Sequence, residues 1–269
     1  MTDFLLYLQQ FSNPLLDSVF LGISALTGEL VYLAVLGVIY WCVSKEKAYY
    51  IGIFLFMSFS LNSLLKNLFR IPRPYIYSDV KQLDIGTGYG YSFPSGHAQL
   101  STTFAGMFSS TFRKRWIYIA SALLIVLTGF SRMYLGVHTP VDILCGISVG
   151  LLLTLLGNRL KSFSSHKVLA IAVFLFMLGV SLVFSSEDNL KILFFAAGFI
   201  SGNIIEERFI GYKIPEKVKP RIFGAFVGFI FTVALNIALK AIGLTFVRYL
   251  FLGLFITVAV PYFIKKITI

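Results

Sequence analysis

Three short polar clusters interrupt an otherwise apolar sequence, and each carries side chains that bind anions or transfer protons. The first is a lysine and an arginine seven positions apart, followed by a proline. The second is the run PSGH, and the third joins a Ser-Arg pair to a His and an Asp four positions apart. Together they supply the cations, imidazoles and carboxylate that chemistry on a phosphate requires. The residues are Lys66, Arg73, Ser95, Gly96, His97, Arg132, His138 and Asp142.

Five of these residues are predicted to bind phosphate oxygens. Lys66, Arg73 and Arg132 give three positive charges, of which the arginines suit bidentate contacts and the lysine adds a point charge. Ser95 and Gly96 stand at a predicted helix start, where free backbone N–H groups and the helix dipole favour an anion. Glycine also permits close backbone approach.

The two histidines of the clusters are predicted to do the chemistry. His97 directly follows the predicted helix start, where it can give a proton to a bound anion or take one. His138 and Asp142 are four positions apart, so they share one face if a helix begins near Pro140. A carboxylate bonded to one imidazole nitrogen fixes the tautomer and makes the other nitrogen a better nucleophile or base.

Each cluster also has an ordinary structural explanation when it is taken alone. A single His or Arg at the end of a membrane span is usually interfacial, Ser-Gly is a common helix start, and Pro-Arg-Pro is a common loop. The joint pattern argues against coincidence, because ionisable groups at membrane depth are costly and functional by default. Eight matched residues on one predicted membrane face therefore indicate an active site.

Composition places the chain in a membrane. Of its 269 residues, 57% are hydrophobic and only 13% are charged, with a mean hydropathy of +0.84, whereas soluble domains carry about 25% charged residues. The formal net charge is +11. These charges lie in short loops between apolar runs, which indicates topology determinants rather than nucleic-acid binding. Cys42 and Cys145 lie in separate apolar stretches and are predicted to be packing residues.

The apolar runs predict an all-α, polytopic transmembrane helix bundle of about nine spans. The third run is rich in Ser and Thr, so it is tolerable only inside the bundle. We expect residues 1–28 to form one or two interfacial helices, residues 29–160 the core bundle with all three clusters, and residues 161–269 a four-span addition. The predicted spans are 29–44, 48–69, 95–112, 116–131, 139–158, 167–185, 189–205, 221–242 and 245–263.

The loop charges also predict the orientation of the chain. Sorting the loops by this span list puts 15 of the 23 basic residues on one side. By the positive-inside rule that side is cytoplasmic. The amino terminus is then outside, the carboxyl terminus inside, and the three clusters lie at the extracytoplasmic face.

The clusters resemble the complete three-part signature of the type-2 phosphatidic acid phosphatase superfamily, over roughly residues 29–160. That group includes lipid phosphate phosphatases, polyprenyl diphosphate phosphatases, glucose-6-phosphatase and vanadium haloperoxidases. The resemblance implies a reaction without metal or cofactor, in which His138 attacks phosphorus and becomes a phosphohistidine. Asp142 orients it, while His97 protonates the leaving oxygen and then activates water. The matching runs are Lys66-x6-Arg73-Pro74, Pro94-Ser95-Gly96-His97 and Ser131-Arg132-x5-His138-x3-Asp142.

Several substrates and two other functional classes stay open. The leading prediction is a membrane lipid phosphate or diphosphate, with undecaprenyl diphosphate first if the chain is bacterial. The nine-span plan is similar to that of glucose-6-phosphatase and sphingosine phosphate phosphatases. It keeps sphingosine phosphate, phosphatidic acid, phosphatidylglycerol phosphate and sugar phosphates as alternatives. A lipid phosphotransferase and a non-catalytic lipid or phosphate transporter are the remaining classes.

Three weaker predictions concern support for the bundle and the site. Asn62 lies one helical turn before Lys66 and could support the site. The 70–94 loop carries glycines at 86, 88 and 90, which suggest a flexible lid. The small-residue pairs at 146/150 and 224/228 could form a homodimer face, although packing within the bundle is the preferred interpretation.

Overall fold

The structure is a computed structural model that describes residues 2–161 and 165–268, and within those ranges all regular structure is helical. The predicted all-α class is confirmed. Two π-helical turns, Glu206–Ile210 and Phe255–Ala259, continue α10 and α12. The helices are α1 (Thr2–Gln9), α2 (Pro14–Leu26), α3 (Glu29–Cys42), α4 (Lys45–Phe69), α5 (Pro74–Tyr77), α6 (Gly96–Phe112), α7 (Arg115–Tyr134), α8 (Pro140–Leu160), α9 (His166–Val183), α10 (Glu187–Ile205), α11 (Val218–Ile242), α12 (Thr245–Leu254) and α13 (Val260–Thr268).

The number of membrane crossings agrees approximately with the predicted nine. Among the described residues, seven helical segments are long and apolar enough to cross a membrane, and an eighth results if α2 and α3, bent by 50° at their junction, count as one span. The predicted third span, α6, is 17 residues long and is not among these segments. It would be the ninth crossing.

The many Ser and Thr residues of helix α6 are compatible with a membrane bundle because these side chains are buried and hydrogen bonded inside it. Nine of its residues are buried, including a glutamine and several Ser and Thr side chains, and α7 and α8 pack against it. The Thr102 hydroxyl donates to the Ala98 carbonyl at 2.7 Å, and the Thr103 hydroxyl donates to the Gln99 carbonyl at 2.9 Å. Each hydroxyl thereby satisfies its donor inside its own helix.

Contacts divide the chain into two compact units. The first comprises Met1–Tyr32 and Met57–Ser164, and the second comprises Leu33–Phe56 and Ser165–Ile269. Helices α3 and α4 therefore each contribute to both units. Residues 33–56, which the sequence grouped with the core bundle, associate with the C-terminal helices. All three polar clusters belong to the first unit.

Within the first unit, two glycines of α8 let it approach the start of α6. A Cβ added at Gly146 would lie 2.6 Å from the Ser95 carbonyl oxygen, and one at Gly150 would lie 2.6 Å from Cβ of Thr102. A larger residue at either position would separate the two helices. These glycines face α6 and hold the second and third clusters together.

The N-terminal helices α1 and α2 hold the loop that follows α5. The side chain of Gln9 donates to the Lys81 carbonyl at 2.7 Å and accepts from the Lys81 N–H at 2.9 Å. Leu16 and Phe20 of α2 pack on a buried cluster that includes Leu135, just after α7. The segment before Glu29 thus forms part of the first unit.

The second unit has its own buried polar contacts. The Trp41 indole donates to the Ile256 carbonyl at 2.7 Å, in the second π-helical turn. Glu206, which is fully buried, pairs with Lys45 at 2.8 Å. Among the residues of the three clusters, none belongs to this unit.

Candidate active site

The start of α6 joins the second cluster to the third. Ser95 is the N-cap of α6 and is fully buried, and its backbone N–H donates to the Asp142 carbonyl at 3.0 Å. Beside it, a Cβ added at Gly96 would lie 3.1 Å from the Asn62 side-chain oxygen. Asn62 itself donates to the Pro94 carbonyl at 3.3 Å and to Gln99 at 2.9 Å. The side chain of Asn62 therefore supports the PSGH turn, as its position in the sequence suggested.

His138 and Asp142 are both buried, but they are not directly hydrogen bonded. Nδ1 of His138 lies 3.7 Å from Oδ2 of Asp142, which is too long for a hydrogen bond. The carboxylate oxygen instead accepts from the Thr139 backbone N–H at 2.7 Å, as half of a capping box that begins α8. The expected helix start is present, and the Asp142 carboxylate caps it instead of bonding to the imidazole.

Ser92 links the two residues, and sequence reasoning did not identify it. Its hydroxyl oxygen lies 2.7 Å from Oδ2 of Asp142 and 3.4 Å from Nδ1 of His138. Ser92 is 1% exposed. A serine two positions before PSGH is indistinguishable from an ordinary loop serine in one sequence, so only the structure identifies it.

The contacts of His138 determine its tautomer. Its Nε2 lies 3.1 Å from Nη1 of Arg73. A guanidinium only donates hydrogen bonds, so Nε2 accepts with its lone pair and the proton of the neutral ring is on Nδ1. Burial lowers the pKa of His138 well below its ordinary value, and the charges of Arg73, Lys66 and Arg132 lower it further. The ring is therefore neutral, and its basic nitrogen points towards a cation.

Arg73 and Lys66 are held by one short run of backbone carbonyls. The Arg73 guanidinium donates to the carbonyls of Tyr89 at 2.6 Å, Gly90 at 3.2 Å and Val137 at 3.0 Å. The Lys66 ammonium donates to the Tyr91 carbonyl and approaches that of Ser92. The 89–92 segment therefore holds both cations of the first cluster, and of these Arg73 reaches Nε2 of His138.

Arg132 is held by side chains rather than by the 89–92 carbonyls. It is fully buried, and its Nη1 donates to Oδ2 of Asp84 at 2.7 Å and to the Thr87 hydroxyl at 3.0 Å. Its Nε and Nη2 are buried without a hydrogen-bond partner within the described part of the chain, and so is Nε2 of His97. Buried polar atoms rarely stay unpaired in native proteins. These three atoms therefore fit a site that takes a polar or anionic group.

All eight predicted residues thus lie in the first unit. Direct contacts bring Arg73 to His138 and Ser95 to Asp142. Such a set of cations, a neutral imidazole and a helix start can stabilise a transferring phosphoryl group.

Comparison with known proteins decides the family. Residues 47–165 match the family model of the PAP2 superfamily, and residues 191–269 match that of the PAP2 superfamily phosphatase transmembrane extension. The lipid A 4'-phosphatase of Bacteroides thetaiotaomicron is 30% identical over 183 residues, which cover 63% of this chain and 78% of that protein. The chain belongs to the PAP2 superfamily. The resemblance carried by the three clusters is confirmed.

Other PAP2 proteins extend this result. The undecaprenyl-diphosphatase BcrC of Bacillus subtilis is 30% identical, over 55% of this chain and 76% of its own length. The crystal structure of Aquifex aeolicus LpxE matches with a TM-score of 0.54 and 28% identity, covering 59% of this chain and 94% of that one. That of a Bacillus subtilis PAP2 type phosphatidylglycerolphosphate phosphatase gives 0.50 and 26%, covering 60% and 84%. This protein is accordingly a membrane phosphatase of the PAP2 type.

Replacing Ser92 by alanine tests the link between His138 and Asp142. Ser92→Ala removes a hydrogen bond to a charged group, a loss of about 1.5–3 kcal/mol, so we expect kcat for phosphate release to fall about 10–100-fold. Steady-state assays in detergent measure it. The matched control is Ser148→Ala, whose exposed hydroxyl donates to the Leu144 carbonyl of its own helix. Equal kcat values for the two variants would exclude a role for Ser92 in catalysis.

Proposed function

We propose that this PAP2 protein hydrolyses a lipid phosphate or diphosphate at the extracytoplasmic face through a phosphohistidine on His138. The observation that carries the proposal is the orientation of that ring. Its Nε2 accepts from Arg73 at 3.1 Å, while Nδ1 is turned towards Ser92 and Asp142. A neutral imidazole with its lone pair directed at a cation-lined site has the form that an attacking nucleophile needs.

In the first step, Nε2 of His138 attacks phosphorus in line as the bond to the leaving oxygen breaks. His97 gives its proton to that oxygen. The ring of His138 becomes positive as the N–P bond forms, and Asp142, 3.7 Å from Nδ1, stabilises this charge. In the second step, His97 accepts a proton from water, whose oxygen attacks the phosphohistidine. Phosphate leaves, and both histidines return to their starting states.

The cations stabilise the charge that spreads over the phosphoryl oxygens. Arg73, Lys66 and Arg132 contribute three positive charges. The Ser95 hydroxyl can donate a hydrogen bond and Gly96 contributes a backbone N–H of the α6 start, while the backbone N–H of Ser95 itself donates to the Asp142 carbonyl. Phosphoryl transfer depends mainly on positioning and charge stabilisation. These five residues are therefore proposed to bind phosphate in the ground state and more tightly in the transition state.

Related PAP2 proteins guide the choice of substrate. They are named for undecaprenyl diphosphate, lipid A and phosphatidylglycerophosphate, which share a phosphate on a membrane lipid. Undecaprenyl diphosphate is the first candidate. Lipid A is the second, because the lipid A 4'-phosphatase aligns over 183 residues and 78% of its length.

Phosphate release by the purified protein tests the proposal. The panel comprises undecaprenyl diphosphate, lipid A, phosphatidylglycerol phosphate, phosphatidic acid, sphingosine phosphate and glucose 6-phosphate, in detergent with EDTA. We expect release from a lipid, unaffected by EDTA and lowered at least about 1000-fold in His138→Ala, as for loss of a nucleophile. The matched control is His166→Ala, which should retain full activity, because His166 belongs to the second unit and its ring packs against that of Tyr50.

Three outcomes of this assay would contradict the proposal. Activity that disappears with EDTA would indicate a metal-dependent reaction. Transfer of the phosphate to an added alcohol in place of release would indicate a phosphotransferase. Folded protein that binds the lipids but neither releases nor transfers phosphate would indicate a transporter.

The sidedness of the site can be tested by cysteine labelling. In a Cys42→Ala, Cys145→Ala background, Ile85→Cys places a thiol at a position that is 81% exposed in the loop before the PSGH turn. Lys217→Cys places one in the loop before α11, which is predicted to be cytoplasmic. We expect a membrane-impermeant maleimide to label Ile85→Cys in intact cells and Lys217→Cys only after permeabilisation. The reverse pattern would place the site inside.

A further inference from the structure

The guanidinium of Arg132 is bonded at one end only. Its Nη1 donates to Asp84 at 2.7 Å, to Thr87 at 3.0 Å and to the hydroxyl of Ser24. Nε and Nη2 have no hydrogen-bond partner among the described residues, although both atoms are buried. In a planar guanidinium these two nitrogens form one edge, and two parallel N–H groups on one edge match a pair of phosphate oxygens.

The carboxylate of Asp84 is held in place by hydrogen bonds from residues other than Arg132. Its Oδ1 accepts from the Thr87 backbone N–H at 3.0 Å, and its Oδ2 accepts from the Thr87 hydroxyl at 2.6 Å. Oδ2 also accepts from the Ser24 hydroxyl at 3.0 Å. Burial raises the pKa of Asp84, but the Thr87 hydrogen bonds and Arg132 outweigh it and hold the pKa well below its ordinary value. Asp84 is therefore a rigid, ionised partner for Arg132.

The loop that carries Asp84 is tightly packed. A Cβ added at Gly88 would lie 2.3 Å from the Asp84 carbonyl oxygen and 2.7 Å from Val137. The Gln82 amide bridges the carbonyls of Asp84 at 3.2 Å and Gly88 at 3.0 Å, and the Tyr75 hydroxyl donates to the latter at 2.7 Å. Only glycine fits at position 88. These contacts together fix the position of the Asp84 carboxylate.

We propose that Asp84, assisted by Ser24, is a positioning residue that holds Nη1 of Arg132 and so directs the Nε–Nη2 edge at the substrate phosphate. This inference rests on the proposed function. Ser24 is 2% exposed and belongs to α2, which precedes the residues 47–165 matched by the PAP2 family model. A helix outside the matched region thus helps to complete the phosphate site.

The alternative is a purely structural ion pair that ties α2 and the loop to α7. The two explanations differ in what happens to anion binding. A structural tie affects the folded fraction and the melting temperature, whereas a positioning residue alters kcat and the affinity for phosphate analogues in protein that remains folded. A second tie between the same two helices offers a matched control. The Tyr134 hydroxyl at the end of α7 donates to Asp17 of α2 at 2.6 Å, whereas the Arg132 guanidinium pairs with Asp84.

The test compares Asp84→Asn, Asp84→Glu, Ser24→Ala and the control Asp17→Asn. It measures kcat and KM for the best lipid of the panel, and the dissociation constant of orthovanadate by its effect on the melting temperature. We expect Asp84→Asn to lower kcat/KM about 100-fold and to weaken vanadate binding at least about tenfold, as for a charged partner in a phosphate site. Asp84→Glu should recover part of both losses, and Ser24→Ala should lose severalfold in each. Asp17→Asn should change only the melting temperature.

A double variant links the effect to Arg132. If Asp84 acts through the arginine, adding Asp84→Asn to Arg132→Lys should change vanadate affinity less than about twofold beyond Arg132→Lys alone. Additive losses would overturn the proposal, as would wild-type kcat and vanadate affinity in folded Asp84→Asn. If Asp84→Asn does not fold, Ser24→Ala decides by the same criteria. Vanadate binding needs no turnover, so an inactive wild type with the expected binding pattern would refute the phosphatase proposal and leave the role of Asp84 supported.

Discussion

Arg132 and Asp84 form an ion pair 2.7 Å long whose side chains are 0% and 7% exposed, inside a chain that is 57% hydrophobic. Removing one partner of a buried pair typically costs about 3–5 kcal/mol, so the Asp84 carboxylate strongly favours burial of this cation at the end of α7. Because Asp84 is fixed in turn by Thr87 and Ser24, the same requirement brings α2 and the loop after α5 to the site. Within the described residues, Arg73 and Lys66 have no carboxylate partner of this kind. Their side chains donate instead to the backbone carbonyls of residues 89–92.

Helix packing then sets the position of His138, the proposed nucleophile. The small residues of α8 let its first turns approach the start of α6, so that the Ser95 N–H reaches the Asp142 carbonyl at 3.0 Å. Capping α8 occupies the Asp142 carboxylate, and Ser92 fills the space between it and His138. A single capping interaction therefore connects the folding of α8 to the orientation of the imidazole.

The sequence predicted the helical class and most of the spans, because apolar runs are visible without a structure. The spaced ionisable groups that it proposed for the site all lie in the first unit. It did not identify Ser92, Asp84 or Ser24, since lone Ser and Asp residues in loops and at helix ends carry no periodicity that separates them from turn formers. It also expected a direct bond from Asp142 to His138, whereas the Asp142 carboxylate accepts from the Thr139 N–H and from Ser92. The assignment of residues 33–56 to the second compact unit depends on side-chain packing that hydropathy does not encode.

The covalent step is the central claim, and trapping the intermediate tests it most directly. Purified protein would be mixed with a lipid labelled in its phosphate, quenched in alkali within milliseconds, and digested for mass spectrometry, because phosphohistidine survives alkali. The account predicts a phosphoryl group on the peptide that contains His138, at Nε2, and no label in His138→Ala. A phosphoryl group on His97 or on any other residue, or full turnover with no labelled peptide, would contradict it.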